Sequence, residues 1–215
     1  MTTDQLVDTP HGPARLLRDR SRWPVATLLL GHGAGGGAES PDLAALAADL
    51  PREGISVVRV EQPWRVAGKR VAPRPEILDA CFVAAADKLR VRTPLVVGGR
   101  SAGARSSART ARHLGASGFL GLAFPLHPPG KPERSRLPEL AAVAVPVLVV
   151  QGERDAFGTP DEFPESCNVV PVPGADHGFR VRSRDLVSQE EALAIVVEAT
   201  LEWVVREVVG NPSRR

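Results

Sequence analysis

The sequence predicts an α/β fold, a mostly parallel central sheet with helices on both faces, and three observations carry that prediction. Short apolar runs rich in β-forming residues alternate with segments of helical period along the 215 residues. Those runs lack the strict polar alternation of half-exposed strands, as expected where both faces of a sheet are covered. The segments between the strands carry helix start signals.

The strands are read at VATLLLG (25–31), ISVVRV (55–60), PLVVGG (94–99), GFLGLAF (118–124), PVLVVQG (146–152) and NVVPV (168–172). Between them, Ser40, Pro41 and Asp42 give a capped start with proline at the first helical position, leading into LAALAADL. EILDACFVAAADKL sets Leu78, Phe82, Ala85 and Leu89 on one face by three- and four-residue steps. Ser188 and Glu191 have capping-box spacing before an amphipathic run through Ile195, Ala199 and Val205. Two loops resist regular structure, WRVAGKRVAPRPE (64–76) and FPLHPPGKPERSRLPEL (124–140). Both follow strands, and loops beyond the carboxyl ends of strands are where ligands bind in an open α/β sheet, so both are expected to wall any pocket.

Composition bounds the function. With 43% hydrophobic and 24% charged residues the chain reads as an ordinary soluble globular protein, one domain over 1–215. A formal charge of +2 is too small to imply nucleic acid. No apolar run is long enough to span a bilayer, and MTTDQLVDTPHG has no basic segment leading into an apolar one, so a cytoplasmic protein is expected. Cys81 and Cys167 lie far apart without a C-x-x-C or His-Cys cluster, which argues against a zinc site and a disulfide framework. Neither a metal nor an organic cofactor is expected. Nothing in the sequence reads out an oligomeric state.

The chemistry concentrates in Gly99-Arg100-Ser101-Ala102-Gly103, which follows an apolar strand and opens the helix-compatible run ARSSARTARHL. A nucleophile lifted clear of a sheet needs a tight, strained turn, and glycines two residues either side of the serine leave room for it. The following helix directs its N-terminal N–H groups at the serine, which makes Ala102 N–H one oxyanion donor. The second is assigned to Ala34 N–H in LLLGHGAGGG, with Gly33 or Gly35 as alternatives. A dinucleotide or phosphate loop competes for GHGAGGGAES, with Glu61 at about the right distance. It lacks the Lys-Ser/Thr end of a P-loop and a clean G-x-G-x-x-G.

A serine at its free pKa needs a base, and the base needs an acid to fix its tautomer. Asp155 follows PVLVVQG, and His177 follows NVVPV, giving the order Ser, Asp, His with each candidate past a strand's carboxyl end. His127 is the rival base and a candidate pocket residue beside Gly33, Gly35 and Arg100. Glu153, Asp161 and Asp176 compete with Asp155. His32 reads as bracing its loop. Arg105, Arg109 and Arg112 fall at helical spacing and read as a solvated face, and the cations of 65–74 read as surface.

With these motifs placed, LLLGHGAGGG, VEQPW, GGRSAGAR, AFPLHPPGKPE, VVQGERDAFG and GADHGF resemble the α/β-hydrolase-like family of the testis-expressed hydrolase-like proteins. That group also includes a scaffold subunit of a chromatin acetyltransferase complex and bacterial dienelactone-hydrolase-like predicted hydrolases. The resemblance runs over a core of about 14–207 and implies an α/β-hydrolase fold without a separate lid domain and a serine hydrolase of a small ester or thioester. Its alternative is a non-catalytic interaction or scaffold protein, since some members of the group act in complexes. Dienelactone hydrolases use cysteine where this chain has Ser101.

Overall fold

A computed structural model describes residues 2–210. Its frame is one eight-stranded sheet in the order β1-β2-β4-β3-β5-β6-β7-β8. These strands are β1 (Thr2–Thr9), β2 (Gly12–Asp19), β3 (Ala26–Gly31), β4 (Ile55–Glu61), β5 (Leu95–Arg100), β6 (Gly118–Leu122), β7 (Val147–Gly152) and β8 (Val169–Val172). β3 to β8 run parallel, whereas β1 and β2 form an antiparallel hairpin whose second strand pairs antiparallel with β4. The sequence reading did not assign this hairpin. β1 is mostly exposed and offers few apolar residues, so it gives no buried-strand signal.

Helices cover both faces, and the strands alternate between them. On one face α1 (Pro41–Asp49) and α6 (Gln189–Trp203) bury Leu43, Leu46, Val196 and Trp203 against Leu28, Leu30, Leu120 and Val150. On the other, Leu29 packs with Phe82 of α3 (Pro75–Ala86), and Val97 and Phe119 pack with Ala104 and Ala108 of α4 (Ala102–Thr110). A run such as LLL reads as continuously apolar because its neighbours serve opposite layers.

Local details depart from the sequence reading in three places. Ser40 occupies the N-cap position of α1, but its hydroxyl makes no capping bond there, and Asp42 in the first turn is fully buried. The capping box of Ser188 and Glu191 does form, with Glu191 N–H donating to Ser188 Oγ at 3.1 Å and Ser188 N–H to Glu191 Oε2 at 2.7 Å. Beyond it the buried stripe is Ala192, Val196, Thr200 and Trp203, not the stripe through Val205. A π-helical segment over Val204–Val209 widens the spiral, so Val204 and Val208 turn inward and Val205 is 48% exposed. Of the two irregular loops, 64–76 begins with the short helix α2 (Pro63–Val66) and 124–140 leads into the short helix α5 (Leu137–Ala141). Among the described residues no helix is long and apolar enough to cross a membrane.

Candidate active site

The turn between β5 and α4 places Ser101 at φ 53° and ψ −113°, a left-handed conformation that a residue with a side chain rarely adopts. Its neighbours make this possible. A Cβ at Gly103 would overlap the Gly31 carbonyl and come within 2.8 Å of the His32 carbonyl oxygen, and one at Gly99 would lie 2.8 Å from Gly31 N. β3, β5 and α4 therefore meet at backbone contact, and the serine is raised at the carboxyl end of the sheet.

Two other carboxyl ends supply what faces it. The loop after β7 holds Asp155, 1% exposed, and the loop after β8 holds His177. His177 Nε2 lies 2.9 Å from Ser101 Oγ, and His177 Nδ1 lies 2.7 Å from Asp155 Oδ2. Asp155 is held in turn, accepting from Phe157 N–H on Oδ1 at 2.8 Å and from the Gln151 side-chain amide on Oδ2 at 2.9 Å. The Phe157 ring stacks on the His177 imidazole at 4.2 Å between centroids. The structure thus brings Ser101, His177 and Asp155 into one chain of hydrogen bonds. Gln151 and Phe157 were not singled out from the sequence. The one available signal was a glutamine closing the otherwise apolar run PVLVVQG, and it is fully buried in the structure.

His32 lies buried behind the glycine loop. Its Nδ1 is 2.9 Å from Gly33 O, and its Nε2 accepts from Gln62 N–H at 3.1 Å, so the ring carries its proton on Nδ1. Burial lowers its pKa below 6.5, which keeps it neutral. Holding the Gly33 carbonyl also orients the N–H of Ala34, which belongs to the same planar peptide. Ala34 N–H has no protein acceptor among the described residues, and Ala102 N–H, at the first position of α4, has no intrahelical one. Both residues line the cleft beside Ser101. Gly33 lies close enough that a Cβ there would sit 3.4 Å from Ser101 Cβ, whereas Gly35 opens onto free space.

The cleft has a volume of about 660 Å³, and its cationic lining comes from Arg100, Arg105, Arg136 and Arg180. Arg100 works as a tie. Its guanidinium donates to the His177 carbonyl at 2.9 Å and lies 3.5 Å from the carboxylate of Asp42. Burial raises the Asp42 pKa, and the charge of Arg100 opposes that rise. Arg105 and Arg109 are not merely solvated. Arg105 binds Glu139 of α5, and Arg109 binds Asp79 of α3 through two bonds of 2.7 Å, because α4 lies between those two helices. Arg112 alone of the three is exposed.

Several sequence candidates sit elsewhere. His127 is not on the cleft; its Nε2 is 2.8 Å from Glu162 and its Nδ1 3.0 Å from Pro128 O, because its N–H donates to the Phe157 carbonyl at 3.0 Å and holds the residue against the segment after β7. Glu153 accepts from Gly174 N–H at 2.8 Å, and Asp176 caps its own turn through Gly178 and Arg180 N–H. Neither carboxylate meets the imidazole of His177. The loop over 124–140 contributes Pro125 and Arg136 to the cleft, while 64–76 contributes nothing to it; α2 carries that loop toward Gln62 and Leu78. Among the described residues no cluster of three or more His, Cys, Asp or Glu could hold a metal ion.

A model of the alpha/beta hydrolase domain matches residues 24–205 of the chain. Among solved structures, the chain is similar to a serine hydrolase without a lid from Xanthomonas campestris. The TM-score is 0.75 at 21% identity, covering 98% of this chain and 97% of the other. It is also similar to a serine hydrolase homologue from Coxiella burnetii (TM-score 0.71, 20% identity, 93% and 98% covered). A dienelactone hydrolase from Anabaena variabilis scores 0.71 at 17% identity, with 97% and 98% covered. At these identities the likeness is one of fold. No curated protein matches the chain.

Proposed function

The chain belongs to the alpha/beta hydrolase family, and from that premise we propose that it is a serine hydrolase of small esters or thioesters. The observation that carries the reading is the unbroken relay from Ser101 Oγ through His177 to a buried Asp155. In this mechanism His177 Nε2 takes the hydroxyl proton as Ser101 Oγ attacks the acyl carbon, and Asp155 stabilises the imidazolium through Nδ1–H. The oxyanion of the tetrahedral intermediate accepts from the N–H groups of Ala34 and Ala102, and each such donor is worth about a hundred- to a thousandfold in rate. Collapse expels the alcohol or thiol, which takes the proton back from His177, and leaves an acyl-serine. Water, deprotonated by the same imidazole, then releases the acid and restores the serine.

The cleft suits a small acyl group, since its volume lies within the range of about 300–1,000 Å³ typical of small-molecule sites. The motif resemblance to the testis-expressed, scaffold-subunit and dienelactone-hydrolase-like group belongs to this reading, as do a single domain and a cytoplasmic setting; Cys81 and Cys167 are both free thiols. Against a purely structural role stands the strain held at Ser101, which a scaffold would have no use for. A fluorophosphonate probe tests the proposal. The folded protein is expected to label at one site, with labelling and p-nitrophenyl acetate turnover both abolished in Ser101→Ala. A folded protein that neither labels nor turns over the ester overturns it.

A further inference from the structure

The opposite end of the sheet carries a second hollow, and we propose that it is a binding site for a small ligand bearing two or three phosphate groups. It has a volume of about 520 Å³ and lies between the carboxyl end of β2, the connection from α3 to β5, and the amino ends of β3 and β4. Antiparallel pairing brings the end of β2 here, since Arg18 stands opposite Val58 and Asp19 opposite Val57. The catalytic candidates all stand at the carboxyl ends of the parallel strands, so the two cavities occupy opposite rims.

Its charge sets it apart. Arg18, Arg20, Lys88, Arg90 and Arg92 all line it, and no Asp or Glu does. Among the described residues none of these five side chains enters an ion pair, although arginines elsewhere on the chain regularly do. Arg18 Nε is withdrawn from solvent without a hydrogen-bond partner. Five cations around one concavity, Arg18 half-buried and Arg20, Lys88, Arg90 and Arg92 exposed, repel one another in a chain whose net charge is only +2. A multiply charged anion reverses that repulsion. Burial and the neighbouring Arg20 both lower the Arg18 pKa, a penalty that a bound anion relieves.

The lining also supplies neutral donors. Ser56 Oγ accepts from Ser21 N–H at 3.1 Å, which leaves its own hydrogen free to donate. Guanidinium forks and a hydroxyl are the groups that bind phosphate oxygens. A single phosphate or carboxylate would leave most of the cations unmatched, whereas a di- or triphosphate spans them. The concave shape and the small net charge of the whole chain favour such a molecule over a nucleic acid, which needs an extended basic face.

Titration calorimetry with sodium tripolyphosphate tests the site in the full-length protein. Saturable one-to-one binding is expected, weakened at least tenfold in Arg90→Gln/Arg92→Gln and unchanged in Lys131→Gln/Arg134→Gln, which removes two exposed cations from another loop. Both variants alter surface residues, and coincident melting curves confirm that they fold. ATP and ADP form a second arm. Tighter binding of either than of tripolyphosphate identifies a nucleotide as the source, and equal or weaker binding identifies free polyphosphate. The proposal is overturned by absent saturation, by equal weakening in both variants, or by a single-stranded oligonucleotide that displaces tripolyphosphate at lower concentration.

Discussion

Removing the guanidinium at Arg100 tests how the two sides of the cleft are held together. Asp42 is fully buried, and Arg100 Nε, 3.5 Å from its carboxylate, is the cation nearest to hand; the same side chain anchors the His177 carbonyl at 2.9 Å. Arg100→Gln therefore strands a charge away from water, and breaking a buried pair from one side costs about 3–5 kcal/mol. In a chain of this size each kcal/mol lowers Tm by about 2–4 °C, so a fall of roughly 6–20 °C is expected. Asp42→Asn in the same background removes the stranded charge and should return much of that loss. The pH dependence has a fixed sign. Burial already raises the Asp42 pKa above its ordinary 3.8, so the folded state binds the proton more tightly than the unfolded chain. The associated penalty grows as pH rises from the unfolded value through the folded one and is constant above it. Losing Arg100 raises the folded value further, so the deficit of Arg100→Gln relative to wild type should shrink as pH falls. Urea denaturation of wild type, both single variants and the double variant at pH 5 and pH 7.5 measures this cycle. Additive effects, or a deficit indifferent to pH, would refute the pairing argument.

Three further outcomes follow from the geometry. In Asp155→Asn the Phe157 N–H holds the remaining oxygen, which turns the amide NH₂ toward His177 Nδ1 and forces the ring proton onto Nε2; ester turnover should fall about 10⁴-fold, and a variant keeping a tenth of wild-type kcat would contradict the assigned orientation. Gly103→Ala drives a methyl into the Gly31 carbonyl and should cost more than about 4 kcal/mol, leaving little soluble protein, whereas Gly35→Ala, with nothing within 4 Å of the new carbon, should melt like wild type. His32 has its folded pKa lowered by burial, so its contribution is complete above the unfolded value of 6.5 and is lost as pH falls below it; His32→Gln should flatten the stability profile between pH 7.5 and 5, and an unchanged slope would count against a buried neutral imidazole.

What could be read from the sequence was whatever obeys short-range rules. Six parallel strands announced themselves because a doubly covered strand must be continuously apolar, and Ser188 with Glu191 because a capping box is complete within four residues. Ser101, Asp155 and His177 were legible as strand-end positions, since local pattern places such ends even when it says nothing of what lies opposite. The rest depends on partners far along the chain. Arg100 and His177 are 77 residues apart, and Arg109 meets Asp79 across 30, so nothing near either arginine marks it as tied down. His127 looked like a pocket residue because its loop follows β6, but a loop's origin does not fix the direction in which its side chains turn. The hairpin of β1 and β2 escaped notice because β1 buries only Val7 and β2 sets its buried Ala14, Leu16 and Leu17 among charged residues, which leaves no continuous apolar run.

That hairpin and its counterpart at the far side bear on how copies of this molecule meet. At one margin β1 presents TTDQLVDT, with two aspartates, and at the other β8 is only four residues long and carries Pro171, which has no N–H to offer an incoming strand. Neither border is a good template for another chain to zip onto. The sheet is finished at both flanks, and crowding these molecules together should favour contact through helices and loops over growth into ribbons.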